Sequence, residues 1–256
     1  MNRLARFSFS LGAALTLTAG ISFADGPKPI RHLVYNFDVS ISTDHTQHVS
    51  GIGSSPGGGG PSNPGASSGV VDNVGGTSDQ GTIAVDVLQV QPDTGLVVQI
   101  SEQARNNRDA VPTMCVVYGN SAVICDQTHG QLNEEESSLL RFLGRNFVNP
   151  ATIDSHDHWR YSASDSQSQE TSDFTLGKAV GDSVPVVFQR VLKVSGVNGF
   201  NATTDGTLTY NRKMSVPVQI KEDTTTRKQS GAGDYDTTRA QLTLTLQNDS
   251  LASSVP

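Results

Sequence analysis

His156 and His158 are the pair of residues in this chain best spaced to hold a metal ion. On a β-strand, residues two apart project from the same face, so both imidazoles can approach one ion. A complete site needs further ligands, and Asp154 or His129 could supply one only if the chain folds back. The favoured reading is two solvated histidines and no metal. His45 and His48 lie in a polar segment beside a glycine-rich tract, and they read as structural or solvated too. Cys115 and Cys125, the only cysteines, suit different chemistry. With Gly119-Asn120-Ser121 as a three-residue hairpin loop, Tyr118 faces Ala122 and Cys115 falls opposite Cys125. Such cross-strand positions bring the Cβ atoms within reach of a disulfide.

Arg190 gives a third signal. It occupies the apolar parity of a strand whose other members are Val184, Val186, Phe188, Leu192 and Val194. Either a bulge turns it outward, or it is a partly buried arginine that pairs with a carboxylate and marks the lining of a cavity. In the second case Trp159, Phe188, Leu140 and Leu143 are the apolar candidates for that lining.

Familiar catalytic motifs are missing. The tract from Gly51 to Gly76 has no Gly-Lys-Ser/Thr ending and so is no phosphate loop. The chain contains no His-Glu-x-x-His pair or Cys-x-x-Cys pair, and serines flanked as Gly-x-Ser-x-Gly occur only inside that glycine-rich tract, not at a strand-to-helix elbow. The sequence therefore assigns no catalytic residue and implies no cofactor.

The elements that must position these residues are mostly strands. Leu33, Tyr35, Phe37, Val39 and Ile41 alternate with polar neighbours, the period of a half-buried strand. Residues 51–76 are dominated by Gly, Ser, Pro and Asn, too little apolar surface to offset ordering, and they read as a disordered insertion. Gly81 to Val90 and Leu96 to Gln103 flank a Pro-Asp-Thr-Gly turn. After the cysteine hairpin, Asn133 followed by Glu134, Glu135 and Glu136 marks a helix start. A helix over Glu134 to Leu143 places Leu139, Leu140 and Leu143 near one side.

Strands then follow in series: Asp157 to Ala163, Gln169 to Val180, Val184 to Val194, Phe200 to Tyr210, Val216 to Thr224 and Thr237 to Gln247. Pro217 points to an edge strand or a bulge. About eleven strands and one helix, without βαβ alternation, predict a mainly β fold. The expected form is a single, strongly curled antiparallel sheet, an open barrel or half-barrel, with the amphipathic helix packed on its concave side. A β-sandwich is the alternative.

The N-terminal segment carries an address. Arg3 and Arg6 precede an apolar stretch from Phe7 to Phe23, and Ser22-Phe23-Ala24 offers a cleavage point. Residues 1–24 thus read as a signal peptide, and 25–256 as one β-rich domain. Loss of Arg3 and Arg6 takes the formal net charge from −7 to −9. An acidic chain without a basic run excludes nucleic acid as an expected partner. No later run reaches the roughly 20 apolar residues that span a bilayer, so no stable membrane insertion is expected after cleavage. The expected location is the periplasm or the outside of the cell, where two cysteines form a disulfide.

This layout resembles the periplasmic carriers of the lipoprotein-localisation type. It is also similar to secreted bacterial β-proteins with a strand like Gly206-Thr207-Leu208-Thr209-Tyr210, a Val216-Pro217-Val218 strand and a terminal Leu-x-Leu-x-Leu strand. The resemblance covers Gly81 to Asp249 at the level of element order. It implies a half-barrel whose apolar face is plugged by helix, and it carries over no site residue. The expected function is non-catalytic binding of a hydrophobic small molecule, a lipid or acyl chain, between sheet and helix. The alternatives are a structural or protein-interaction component of the cell envelope, and a hydrolase with dispersed catalytic residues.

Overall fold

A computed structural model describes residues 28–48, 69–91, 95–104, 111–118, 122–126, 132–143, 158–197, 199–231 and 234–251. Five strands come first: β1 (Arg31–His48), β2 (Gly69–Gln91), β3 (Gly95–Ala104), β4 (Thr113–Val117) and β5 (Val123–Cys125). The helix α1 (Glu134–Leu143) follows, then β6 (His158–Ser164), β7 (Ser168–Leu176) and β8 (Ser183–Val194). The chain closes with β9 (Phe200–Asn211), β10 (Val216–Gln229) and β11 (Tyr235–Asp249).

All eleven strands form one antiparallel sheet in the order β5-β4-β3-β2-β1-β11-β10-β9-β8-β7-β6. The sandwich alternative is thereby corrected: among the described residues every strand pairs into this one sheet. The sheet is not closed into a barrel. Each half is a meander, and the halves meet where β1 pairs with β11. The bidentate ion pair of Arg31 with Asp249, at 3.0 and 2.5 Å, fastens that seam.

Period-two alternation builds the core. Leu33, Tyr35, Phe37 and Val39 point inward from β1, and Val184, Val186 and Phe188 from β8. Residues Leu139, Leu140, Phe142 and Leu143 of α1 join the same cluster. Curling of the sheet follows from lengths. The helix touches β4 and β5 at one end, while Arg141 reaches Glu170 of β7 at the other. β4 and β7 stand eight strand positions apart, about 38 Å across a flat sheet. A ten-residue helix is about 15 Å long, so only a curled sheet can present both walls to it.

Three local features serve this shape. Pro217 interrupts the β9–β10 register as a bulge within a central strand, and the buried Tyr35 hydroxyl donates to its carbonyl at 2.8 Å. Gly206 lies under the Phe188 ring, where a Cβ would come within 2.2 Å of a ring carbon. That close approach seats Phe188 between Phe142 and Phe174, whose rings meet it at a tilt with centroid distances of 5.0 and 6.0 Å.

Two sequence readings change. Residues Gly69 to Gly76, part of the expected disordered insertion, are strand and pair with β1 from His48 to Ser42. Backbone pairing along the edge of β1 holds these residues in the sheet. Residues 49–68 lie outside the described residues. His45 belongs to β1 rather than to a loose polar segment, and it bonds Asp236 on β11 at 2.5 Å. The cysteine hairpin forms as read, with Cys115 registered opposite Cys125 in a disulfide and Tyr118 donating to the Ala122 carbonyl at 2.8 Å.

Candidate functional site

The inner face of the sheet is apolar at one end and becomes polar toward the other. One row across the strands reads Phe174, Phe188, Gly206, Glu222, Leu242 and Val39. The next reads Ser172, Arg190, Thr204, Thr224, Ala240 and Ile41. Ser172, Thr204, Glu222 and Thr224 are all buried, each on the parity that a hydrophobic residue would normally fill.

These side chains form a short network. Arg190 donates to the Thr204 hydroxyl at 3.3 Å, and Thr204 and Thr224 share a hydrogen bond of 2.9 Å. Glu222 accepts from Ser138 of the helix at 2.8 Å through Oε1. Its other oxygen, Oε2, is buried and has no hydrogen-bond partner among the described residues. Toward the helix C-terminus, Arg141 faces Glu170 of β7 at 3.3 Å, and Ser172 lies 3.5 Å from the same carboxylate.

The helix start is built by its own sequence. Glu136 reaches back to accept from the Asn133 backbone N–H at 2.9 Å, the reciprocal half of a capping box. The Asn133 amide donates to Glu102 of β3 at 2.7 Å. The carboxyl group of the half-buried Glu135 is bonded to that of the buried Glu102.

Burial pushes the Glu135 carboxyl up to about 7, and the neighbouring Glu102 charge adds to the rise. Glu102 is also raised, by burial first, with the Asn133 bond acting against it. Glu134 reaches solvent at the rim, yet the protein around it and the Glu222 charge hold its carboxyl above the usual range. Burial lowers Arg141, and the nearby Arg190 charge acts the same way.

A pH dependence follows. An acid whose folded pKa is raised binds more protons folded than unfolded, so stability falls as pH rises between the two values. For Glu135 the contribution is complete below its ordinary value of 4.5 and is lost by about pH 7. The wild type should lose stability relative to Glu135→Gln across that window, by up to about 3 kcal/mol. Urea unfolding at pH 5 and pH 8 measures this, and parallel pH profiles for the two proteins would refute it.

The structure places the expected site residues as follows. Phe188, Leu140 and Leu143 are buried core side chains. Trp159 is half-buried against that core and stacks on Phe174 at 5.2 Å. Arg190 lies on the inner face, and the registers of β8 with both neighbours are uninterrupted, which corrects the bulge reading. Among the described residues Arg190 makes no ion pair; its bonded partner is Thr204 rather than a carboxylate. His158 is exposed, 3.3 Å from the Thr175 hydroxyl and 3.8 Å from Asp173. His156 lies outside the described residues, and among those described no three metal-ligating side chains gather.

An open depression of about 760 Å³ does occur, on the outer face of β11, β1, β2 and β3, where Asn36, Asp38, Gln80, Gln103 and Thr243 line it. Sequence reasoning missed Glu102, Glu222, Thr204 and Thr224. Their parity was the available signal: Ile220, Glu222 and Thr224 face inward while Lys221 and Asp223 face out.

No protein-family model matches the chain, and no curated protein matches it either. The class is therefore set by architecture: an open, curled, eleven-stranded antiparallel sheet whose inner face is covered by one helix over a buried polar row.

Proposed function

We propose that the protein is a non-catalytic carrier of an apolar ligand, a lipid or acyl chain, which occupies the inner face of the sheet when α1 moves aside. One observation carries this reading. The helix over the apolar rows is tied to the sheet at three points by polar contacts: Asn133 to Glu102, Ser138 to Glu222 and Arg141 to Glu170. Buried polar pairs contribute little net stability but fix orientation, because their partners lose much when left unpaired. A cover held this way is exchangeable for a ligand that supplies equivalent donors. The Cys115–Cys125 disulfide and the leader-like N-terminal sequence support operation in the periplasm or outside the cell.

Native mass spectrometry of the protein purified from an exporting host tests the reading, together with titration of a hydrophobic dye. The expected result is a co-purifying amphiphile, and dye fluorescence that the added amphiphile displaces. A protein that carries no amphiphile and leaves the dye unaffected would overturn it.

A further inference from the structure

We infer that the polar row beneath the helix is a headgroup site, with Glu222 receiving an ammonium group and Arg190 the adjoining anion. The ligand class is then an amphiphile with an ammonium–phosphate headgroup. This inference rests on the carrier reading and adds a chemistry to its ligand.

Glu222 is 5 % exposed, and its Oε2 has no donor among the described residues. A carboxylate can accept about four hydrogen bonds, and leaving one buried oxygen unpaired costs stability. The neighbours at its level cannot supply a donor. Gly206 on β9 has no side chain and Leu242 on β11 is apolar. Thr224, two residues along β10, is engaged with Thr204. The one donor present, the Ser138 hydroxyl, belongs to the helix and leaves with it. A ligand that takes the place of α1 must therefore bring N–H or O–H donors to Glu222.

The anion subsite adjoins this one. Arg190 carries five N–H donors and bonds Thr204, which is linked to Thr224 on the same strand and face as Glu222. The guanidinium and the two hydroxyls offer a phosphate both charge and donors. Displacing Arg141 also frees Glu170 of β7, which lies one row beyond Ser172 and Arg190, on the side away from Glu222. A purely anionic headgroup would face Glu222 with like charge, and a quaternary ammonium has no N–H to give Oε2.

The test uses Trp159, the only tryptophan, as reporter because it stacks on Phe174 of the same core. The full protein is titrated with dihexanoyl phosphoethanolamine, phosphocholine and phosphoglycerol lipids, and with water-soluble phosphoethanolamine alone. The ethanolamine lipid should bind about tenfold more tightly than the other two, the worth of one charge-assisted hydrogen bond. Glu222→Gln should abolish most of that preference. Arg190→Gln should weaken all three lipids alike, by about tenfold. Equal affinities, or a preference that survives Glu222→Gln, would overturn the headgroup site and leave the carrier reading standing. Failure of every lipid to bind would overturn both. Phosphoethanolamine alone binding as tightly as the lipid would keep the headgroup site and overturn the carrier reading.

Discussion

Leu140→Ala should lower the unfolding free energy by about 3–5 kcal/mol, at the upper end for a buried leucine. Leu140 is fully buried, and the helix presents only a few apolar side chains to the sheet. The cavity left beneath α1 cannot be refilled easily, because Phe142 packs at a tilt against Phe188 and Phe188 is seated over Gly206. Loosening the helix should also uncover the inner face while the strand ladders persist. Urea unfolding should therefore report a lower midpoint, and a hydrophobic dye should brighten under native conditions. The control is Val187→Ala on the outer face, where the side chain is 58 % exposed; it should change stability by less than about 0.5 kcal/mol. A loss below about 1 kcal/mol for Leu140→Ala would show that the helix is not held by this packing.

Glu222→Met should act in the opposite direction, stabilising the protein by about 1–3 kcal/mol. The wild-type carboxylate is buried with one oxygen unpaired, and methionine fills a similar volume without that penalty. Ser138→Ala should instead destabilise, since it removes the bond to the other oxygen while keeping the carboxylate. In the double variant the Ser138 cost should largely vanish, which a double-mutant cycle measures directly. Thermal unfolding of the four proteins decides the matter. A destabilised Glu222→Met would mean that the acid has a structural partner. A stabilised one would mark a residue whose presence costs stability, the usual sign of a position kept for function.

Much of the architecture was legible because strands with one buried face write their register into the sequence. Tyr35 and Phe37 between Val34, Asn36 and Asp38 left one reading, and β1 runs as that pattern implies. Asn133 followed by three glutamates announced the helix, and its reciprocal cap is present. The segment Gly69–Gly76 was not legible, since its glycines and polar residues carry no periodicity; it is strand because β1 offers it a long edge. The site was half legible. Arg190 stood out among Val186, Phe188 and Leu192 because its neighbours on that parity are apolar. Glu222 did not, because Lys221 and Asp223 on either side made one more charge unremarkable. Only the strand register, absent from composition, separates the inward acid from its outward neighbours.

The seam between β1 and β11 sets an order of events in folding. Each meander is made of hairpins between neighbours in the chain, contacts that close quickly. The seam joins positions 218 residues apart, as Arg31 and Asp249 are, and closing so long a loop is slow. The two wings can therefore form first and separately, and the central pairing must come last. Until it does, β1 and β11 are both open edges, rows of unpaired amides able to capture another chain. The final strand is thus the step that turns two sticky halves into a single sheet.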